Sequence, residues 1–185
     1  MSSSATNSLL NLLQISDSAF PTGSFAHSAG LEVAYQRGFL TTSEKVEKFL
    51  LASVENVGSF SVPFVREAYK LWTDLGAIRA LDRLLNASLS NHIANRSSTQ
   101  QGRSLIQTAC ATYKDTKLTE IQNWIYDGKL IGHQGQRMQF MLQSRIPEVM
   151  ERHQHRTSES AANVYPLIDV MQSSHDQLFA RMFYS

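Results

Sequence analysis

Thr41-Thr42-Ser43-Glu44-Lys45-Val46-Glu47-Lys48-Phe49-Leu50-Leu51-Ala52-Ser53-Val54-Glu55-Asn56-Val57-Gly58 is the stretch that decides the fold. Thr41 and Glu44 have the Thr-x-x-Glu spacing of a capping box, in which a hydroxyl and a carboxylate each satisfy a backbone donor orphaned at a helix start. Val46, Phe49, Leu50, Val54 and Val57 then recur at helical intervals up to Gly58. Downstream, Ser59 to Val65 alternates like a strand, but Pro63 removes a ladder donor and Phe60 and Phe64 suit an i, i+4 helix pair, so helix is expected. Ala68 to Leu75 continues it, and Ile78, Leu81, Leu85 and Leu89 form a stripe to about Asn91. Asn95 to Thr99 reads as cap chemistry ahead of Leu105, Ile106, Ala109 and Tyr113. Further helices are expected over Leu118 to Tyr126, bounded by Asp127-Gly128, and through Met138, Met141, Leu142, Ile146 and Val149, with Pro147 as a kink or boundary. The last runs from Val164 to Phe183 through Leu167, Ile168, Met171, Leu178 and Phe179.

Upstream, Ala26 to Arg37 is helical through Leu31, Ala34 and Tyr35, with Gly38 placed for a positive-φ C-cap. Leu9, Leu12 and Leu13 share one face of a short helix that gives way to a loop before Pro21 and Gly23. Residues 1–7 read as a disordered tail. The expectation is an all-α, single-domain helical bundle of about seven helices over residues 8–185.

Composition agrees. With nine glycines and four prolines in 185 residues, turn formers are too sparse for a many-stranded sandwich or barrel. An apolar fraction of 42% can bury a core, and 17 basic against 16 acidic residues leaves no electrostatic footprint for nucleic acid. Cys110 is the single cysteine, so an intrachain disulfide and a Cys-rich zinc module are both excluded. The first Lys or Arg is Arg37, which argues against a secretory or transit peptide, and no apolar run approaches about 18 residues. A cytoplasmic protein is expected, with no membrane partner.

Chemistry-bearing patterns are few. Neither common phosphate-binding glycine loop is present. Ser24 lies three residues before His27, which invites a small serine hydrolase, yet the G-x-S-x-G elbow is absent and no third orienting group is identifiable; Ser24 or a neighbour capping the following helix explains the same residues. His153 and His155 point about 200° apart on a helix and are flanked by Arg152 and Arg156, so they read as a solvated helix end, not a metal pair. His92 and His175 have no acidic or His partner at i, i+4 and read as structural. Arg137, Arg145, Arg152 and Arg156 make the later helix mildly basic, as a solvated face or toward an acidic partner.

Packing alone leaves one stretch unexplained, Asp17-Ser18-Ala19-Phe20-Pro21-Thr22-Gly23-Ser24-Phe25-Ala26-His27-Ser28-Ala29-Gly30-Leu31-Glu32. Its small residues Ala26, Ala29 and Gly30 would let another backbone come close, which suggests a helix contact or a docking surface. The longer run from Leu12-Leu13-Gln14 through Pro21-Thr22-Gly23-Ser24-Phe25 to His27-Ser28-Ala29-Gly30-Leu31-Glu32 resembles the amino-terminal signature of the urease accessory protein F family. Gln101-Gly102-Arg103 resembles that family's central-helix opening, with Gln100 where an Arg is common. Gly132-His133 resembles its Gly-His pair, and Arg181-Met182-Phe183-Tyr184-Ser185 resembles its carboxyl end. One departure is large: His133 is followed at once by Gln134-Gly135-Gln136-Arg137, which resembles sequence that the family reaches only after about two further helices. The chain looks shortened between His133 and Gln134, and losing two packed helices would uncover more than the roughly few hundred Å² of apolar surface a monomer tolerates.

The resemblance implies an all-helical, dimeric adaptor that catalyses no reaction. It implies binding to the GTPase urease accessory protein G and to the accessory protein D/H, in an assembly that delivers nickel to the urease apoprotein, with nickel and GTP handled by the complex and no cofactor of its own. By motif match, Phe20, Phe25, His27, Ser28, Gly30 and Glu32 would belong to an amino-terminal docking region. Gln101, Gly102 and Arg103 would support the central helix, His133 would belong to the Gly-His motif, and Arg181, Phe183 and Ser185 would form the tail that engages the D/H protein. His27 and Glu32 are equally well explained as a buried polar pair or a cap. The alternative within the family is a shortened, inactive or regulatory form of the adaptor.

Overall fold

A computed structural model describes residues 27–131 and 146–182. The expected short helix at Leu9 to Leu13, the tail at 1–7, the stretch 138–145 and the junction between His133 and Gln134 lie outside the described residues. The described chain is all-α: α1 (Leu31–Gln36), α2 (Ser43–Asn56), a π-helical turn (Val57–Ser61), α3 (Val62–Leu71), α4 (Leu75–Ser88), α5 (His92–Tyr113), α6 (Thr116–Tyr126), α7 (Ile146–His153) and α8 (Pro166–Ser173), with short 3₁₀ turns at Ser158–Ser160 and His175–Gln177. α2, the π turn and α3 run on without interruption, so the ambiguous stretch 59–65 is helical as expected. Pro63 falls in the first turn of α3, directly after the π turn.

Several helix starts differ from expectation. The cap of α2 is Thr42, whose hydroxyl accepts from the Lys45 N–H at 3.3 Å, one residue beyond Thr41; Glu44 pairs with Lys48 at 2.6 Å. α5 begins at His92, because the Asn91 side chain accepts from the Ile93 and Ala94 N–H groups, and Asn95 to Thr99 lie inside the helix. α1 begins at Leu31, not Ala26, since Ala29 (φ 48°) and Gly30 (φ 89°) take left-handed backbone that a helix cannot contain. It ends as expected before Gly38, at φ 75°. The final helix stops at Ser173, and Phe179 is fully exposed.

Two apolar clusters hold the bundle. Val33 and Ala34 of α1, Phe49 of α2 and Met171 of α8 form one, with Leu31, Leu40, Ile168 and Leu178 against it. Phe60, Phe64 and Leu81 form the other, with Ala68, Leu85, Leu89 and Ala161 around them, and the two Phe rings meet at 5.6 Å. α6 contrasts with the rest: it packs against α5 but buries none of its own residues.

Candidate functional site

The loop residues Ala29 and Gly30 bring the chain over α8 and start α1 there. An added Cβ at Gly30 would stand 3.1 Å from both the Gln172 N and the Ile168 O, so only glycine gives this approach as well as this φ. Close packing sets Glu32, with its side chain wholly buried, against His175, also wholly buried. Among the described residues the carboxylate takes three donors. His175 Nε2 lies 3.0 Å from Glu32 Oε2, while Glu32 Oε1 accepts from Gln36 Nε2 at 3.1 Å and from the Met182 backbone N–H at 2.5 Å. With Glu32 ionised, its carboxylate only accepts and the proton sits on His175 Nε2; His175 Nδ1 is buried with no partner. Gln36 also donates to the Ala180 carbonyl at 2.9 Å, and Arg37 to Gln177 Oε1 at 3.2 Å. One face of a six-residue helix thereby fixes residues 175–182.

Beside this seam, Asp176 receives Arg96 from α5 and Arg181 from the tail, at 3.3 and 3.1 Å, with His92 at 3.6 Å. The Arg96 hydrogen bond, ahead of the charges of Arg96 and Arg181, holds the Asp176 carboxyl below the usual carboxylate range against the opposing effect of burial. Burial pushes the His27 imidazole below its ordinary value, and the nearby charges of Arg96 and His175 act in the same direction. Ser28 Oγ is buried without a partner.

The structure thus gathers Gly30, Glu32 and Arg181 around one seam, with His27 within electrostatic reach. It places Gln101, Gly102 and Arg103 elsewhere. Gln101 is buried and donates to Ser97 Oγ at 2.6 Å; Gly102 is buried; Arg103 is exposed, 3.4 Å from the Ile131 carbonyl. Phe20, Ser24, Phe25, His133, Phe183 and Ser185 lie outside the described residues. Sequence reasoning missed His175 as the partner of Glu32, since 143 residues separate them. It also misread His153, which is buried and lies 2.9 Å from Glu55 Oε2, while Arg152 pairs with Glu55 Oε1; of the two histidines only His155 is exposed. Among the described residues no three of His, Cys, Asp or Glu converge as a metal site would require, and no helix is long and apolar enough to cross a membrane.

The UreF family model matches residues 40–138, from the approach to α2 through the whole of α6. This chain belongs to the urease accessory protein F family. Urease accessory protein F of Arabidopsis thaliana is 28% identical over 218 aligned positions, covering 93% of this chain and 90% of its own length. The protein of the same name from Oryza sativa subsp. indica is also 28% identical, over 96% of this chain and 85% of its own. The Trichodesmium erythraeum protein named urease accessory protein UreF is 35% identical over 59% of this chain. The alignment with the Arabidopsis relative has more positions than this chain has residues, so that urease accessory protein carries residues with no counterpart here.

Proposed function

We propose that this chain serves urease maturation as a non-catalytic adaptor. It engages the GTPase accessory protein G through its amino-terminal region and the accessory protein D/H through its tail, so that nickel reaches the urease apoprotein. The carrying observation is the fastening of residues 175–182 onto α1: Glu32 holds the Met182 N–H, and Gln36 holds the Ala180 carbonyl. Tail and α1 are therefore held together, and Phe179 and Met182 of the tail stand exposed. Exposed aliphatic and aromatic side chains, with Arg181 beside them, are what a protein interface uses for affinity. In this reading, as the family resemblance implies, the working unit is a cytoplasmic homodimer.

Removing Arg181 to Ser185 tests the assignment. Capture of the D/H protein in a pull-down is expected to be lost, and urease activation in cells with it. Undiminished capture by the truncated chain would refute the tail's role.

A further inference from the structure

The longest helix, α5, has 22 residues and not one Asp or Glu among them. One side of it, through Ile93, Ala94, Ser97, Gln101 and Ala109, is buried in the bundle. On the other side Arg96, Thr99, Gln100, Arg103, Ser104 and Gln107 line a shallow depression, and no apolar side chain joins them among the described residues. These positions recur at steps of three and four, so they share one face of the helix. Arg96, Gln100, Arg103 and Gln107 are exposed along it.

Charge and continuity describe what this face meets. Arg96 has a carboxylate in Asp176 at 3.3 Å, but shares it with Arg181 of the tail at 3.1 Å. Arg103 has no ion pair among the described residues: its Nε donates to the Ile131 carbonyl at 3.4 Å, which leaves its two terminal amino groups for another acceptor. Three guanidinium groups thus stand beside one carboxylate, in a chain whose total charge is only +1. Asp176 also ties the depression to the tail, because it joins Arg96 at one end of the face to Arg181. From Arg96 to Arg103 is two helical turns, about 10 Å. Each guanidinium fork is shaped to take a carboxylate through paired hydrogen bonds, and the amides and hydroxyls between the forks suit a polar chain.

We propose that the polar face of α5 receives an acidic segment of the same protein that takes the tail, the D/H protein. The segment presents two carboxylates about 10 Å apart, one to Arg103 and one to Arg96 beside Asp176, with polar side chains over Gln100 and Ser104. Arg103 is the residue on this face with most to gain, since its terminal amino groups have no carboxylate until the partner arrives. The site rests on the adaptor reading above, because the tail is what brings the partner to α5.

The test titrates the full chain into fluorescently labelled D/H protein and follows anisotropy at about 50 mM and about 300 mM salt. Arg103→Glu is expected to weaken binding at least about tenfold at the lower salt, with the gap to the unaltered chain narrowing at the higher. Arg103 is exposed, so its replacement leaves the core alone, and circular dichroism checks the fold. Gln107→Glu gives a second reading should Arg103→Glu fail to fold: one turn further along, its carboxylate pairs with Arg103 within the helix, and binding is expected to fall about threefold. Lys70→Glu, the same charge reversal on α3, is expected to change nothing. Unaltered binding by Arg103→Glu and Gln107→Glu would overturn the proposal while leaving the tail's role intact. An equal loss in Lys70→Glu would reduce the effect to net charge, and a loss undiminished at the higher salt would remove the carboxylate; either overturns it as well. So would Arg103→Glu losing protein G while keeping the D/H protein. Failure of the unaltered chain to bind the D/H protein at all would strike the adaptor reading and this site with it.

Discussion

Two seams join the carboxyl-terminal helices to the rest of the bundle, and they are built from the same parts. At the first, Gly30 lets α1 meet α8 and Glu32 pairs with His175 at 3.0 Å. At the second, Gly58 in the π turn lets α7 approach and Glu55 pairs with His153 at 2.9 Å. The difference is burial. Both side chains of the first pair are 0% exposed, whereas those of the second are 10% and 16% exposed, with the half-exposed Arg152 joining from the solvent side. The contacts at the glycines differ too: Gly30 faces backbone atoms, and Gly58 faces the ends of the Val149 and His153 side chains. A buried ionisable pair is costly to break because the remaining group is left desolvated and unpaired, while a pair at the edge can exchange its partner for water. The first seam therefore specifies one arrangement of the tail and α1. The second contributes mainly packing.

The largest expected effect breaks the first pair. Glu32→Ala leaves His175, the Gln36 amide and the Met182 N–H without their acceptor and is expected to cost about 3–5 kcal/mol in urea unfolding. Glu55→Ala, whose half-exposed partner Arg152 can turn to solvent while His153 lies near the bundle's edge, is expected to cost about 1–2 kcal/mol. Equal losses would show that burial does not separate the two seams. The glycines come next. Gly30→Ala meets immovable backbone at a left-handed φ and is expected to cost about 1–3 kcal/mol with no rescue from trimming Met171. Gly58→Ala, whose Cβ would come within 2.5 Å of Val149 Cγ1, is a side-chain clash. Adding Val149→Ala to it is expected to recover about 1 kcal/mol in a double-mutant cycle, and strict additivity would contradict the contrast drawn between the glycines.

The same contrast marks what the sequence makes legible. Helices show themselves through local periodicity, and α2, α4, α5 and α6 follow their stripes because each buries or half-buries one face against a neighbour. Helix starts were displaced where cap residues are degenerate: Thr, Ser and Asn recur at 41–43 and again across 90–99, and only geometry selects Thr42 and Asn91. Apolar spacing alone carried the last helix through Leu178, although the chain leaves helical backbone after Ser173 and Leu178 packs on the α1 cluster from extended backbone. At the first seam, the amino-terminal motif singled out Gly30 and Glu32 but not the histidine that faces them. His175 and His153 find their carboxylates 143 and 98 residues away, beyond any spacing rule, so one read as merely structural and the other as solvated.

The smallest expected effect is a pH dependence that sharpens the contrast, because a titrating histidine stands near the first seam. His27 is held neutral by burial, helped by the positive charge of Arg96 and by His175, so its folded-state pKa lies below the ordinary 6.5. The unfolded chain then takes up a proton more readily than the folded one as pH falls. His27 therefore contributes stability fully above pH about 6.5, lost progressively as pH falls toward and through its lowered folded value. Asp176 acts lower on the scale: its lowered carboxyl pKa contributes stability above the ordinary 3.8 that is lost only in stronger acid. Unfolding curves collected between about pH 8 and pH 3 should thus show a decline above about pH 5 that His27→Gln makes shallower, since the replacement cannot titrate, while the region below about pH 4 keeps its slope. If His27→Gln left the upper decline untouched, the loss would belong to another group, and the tail seam would carry no proton-linked element at His27.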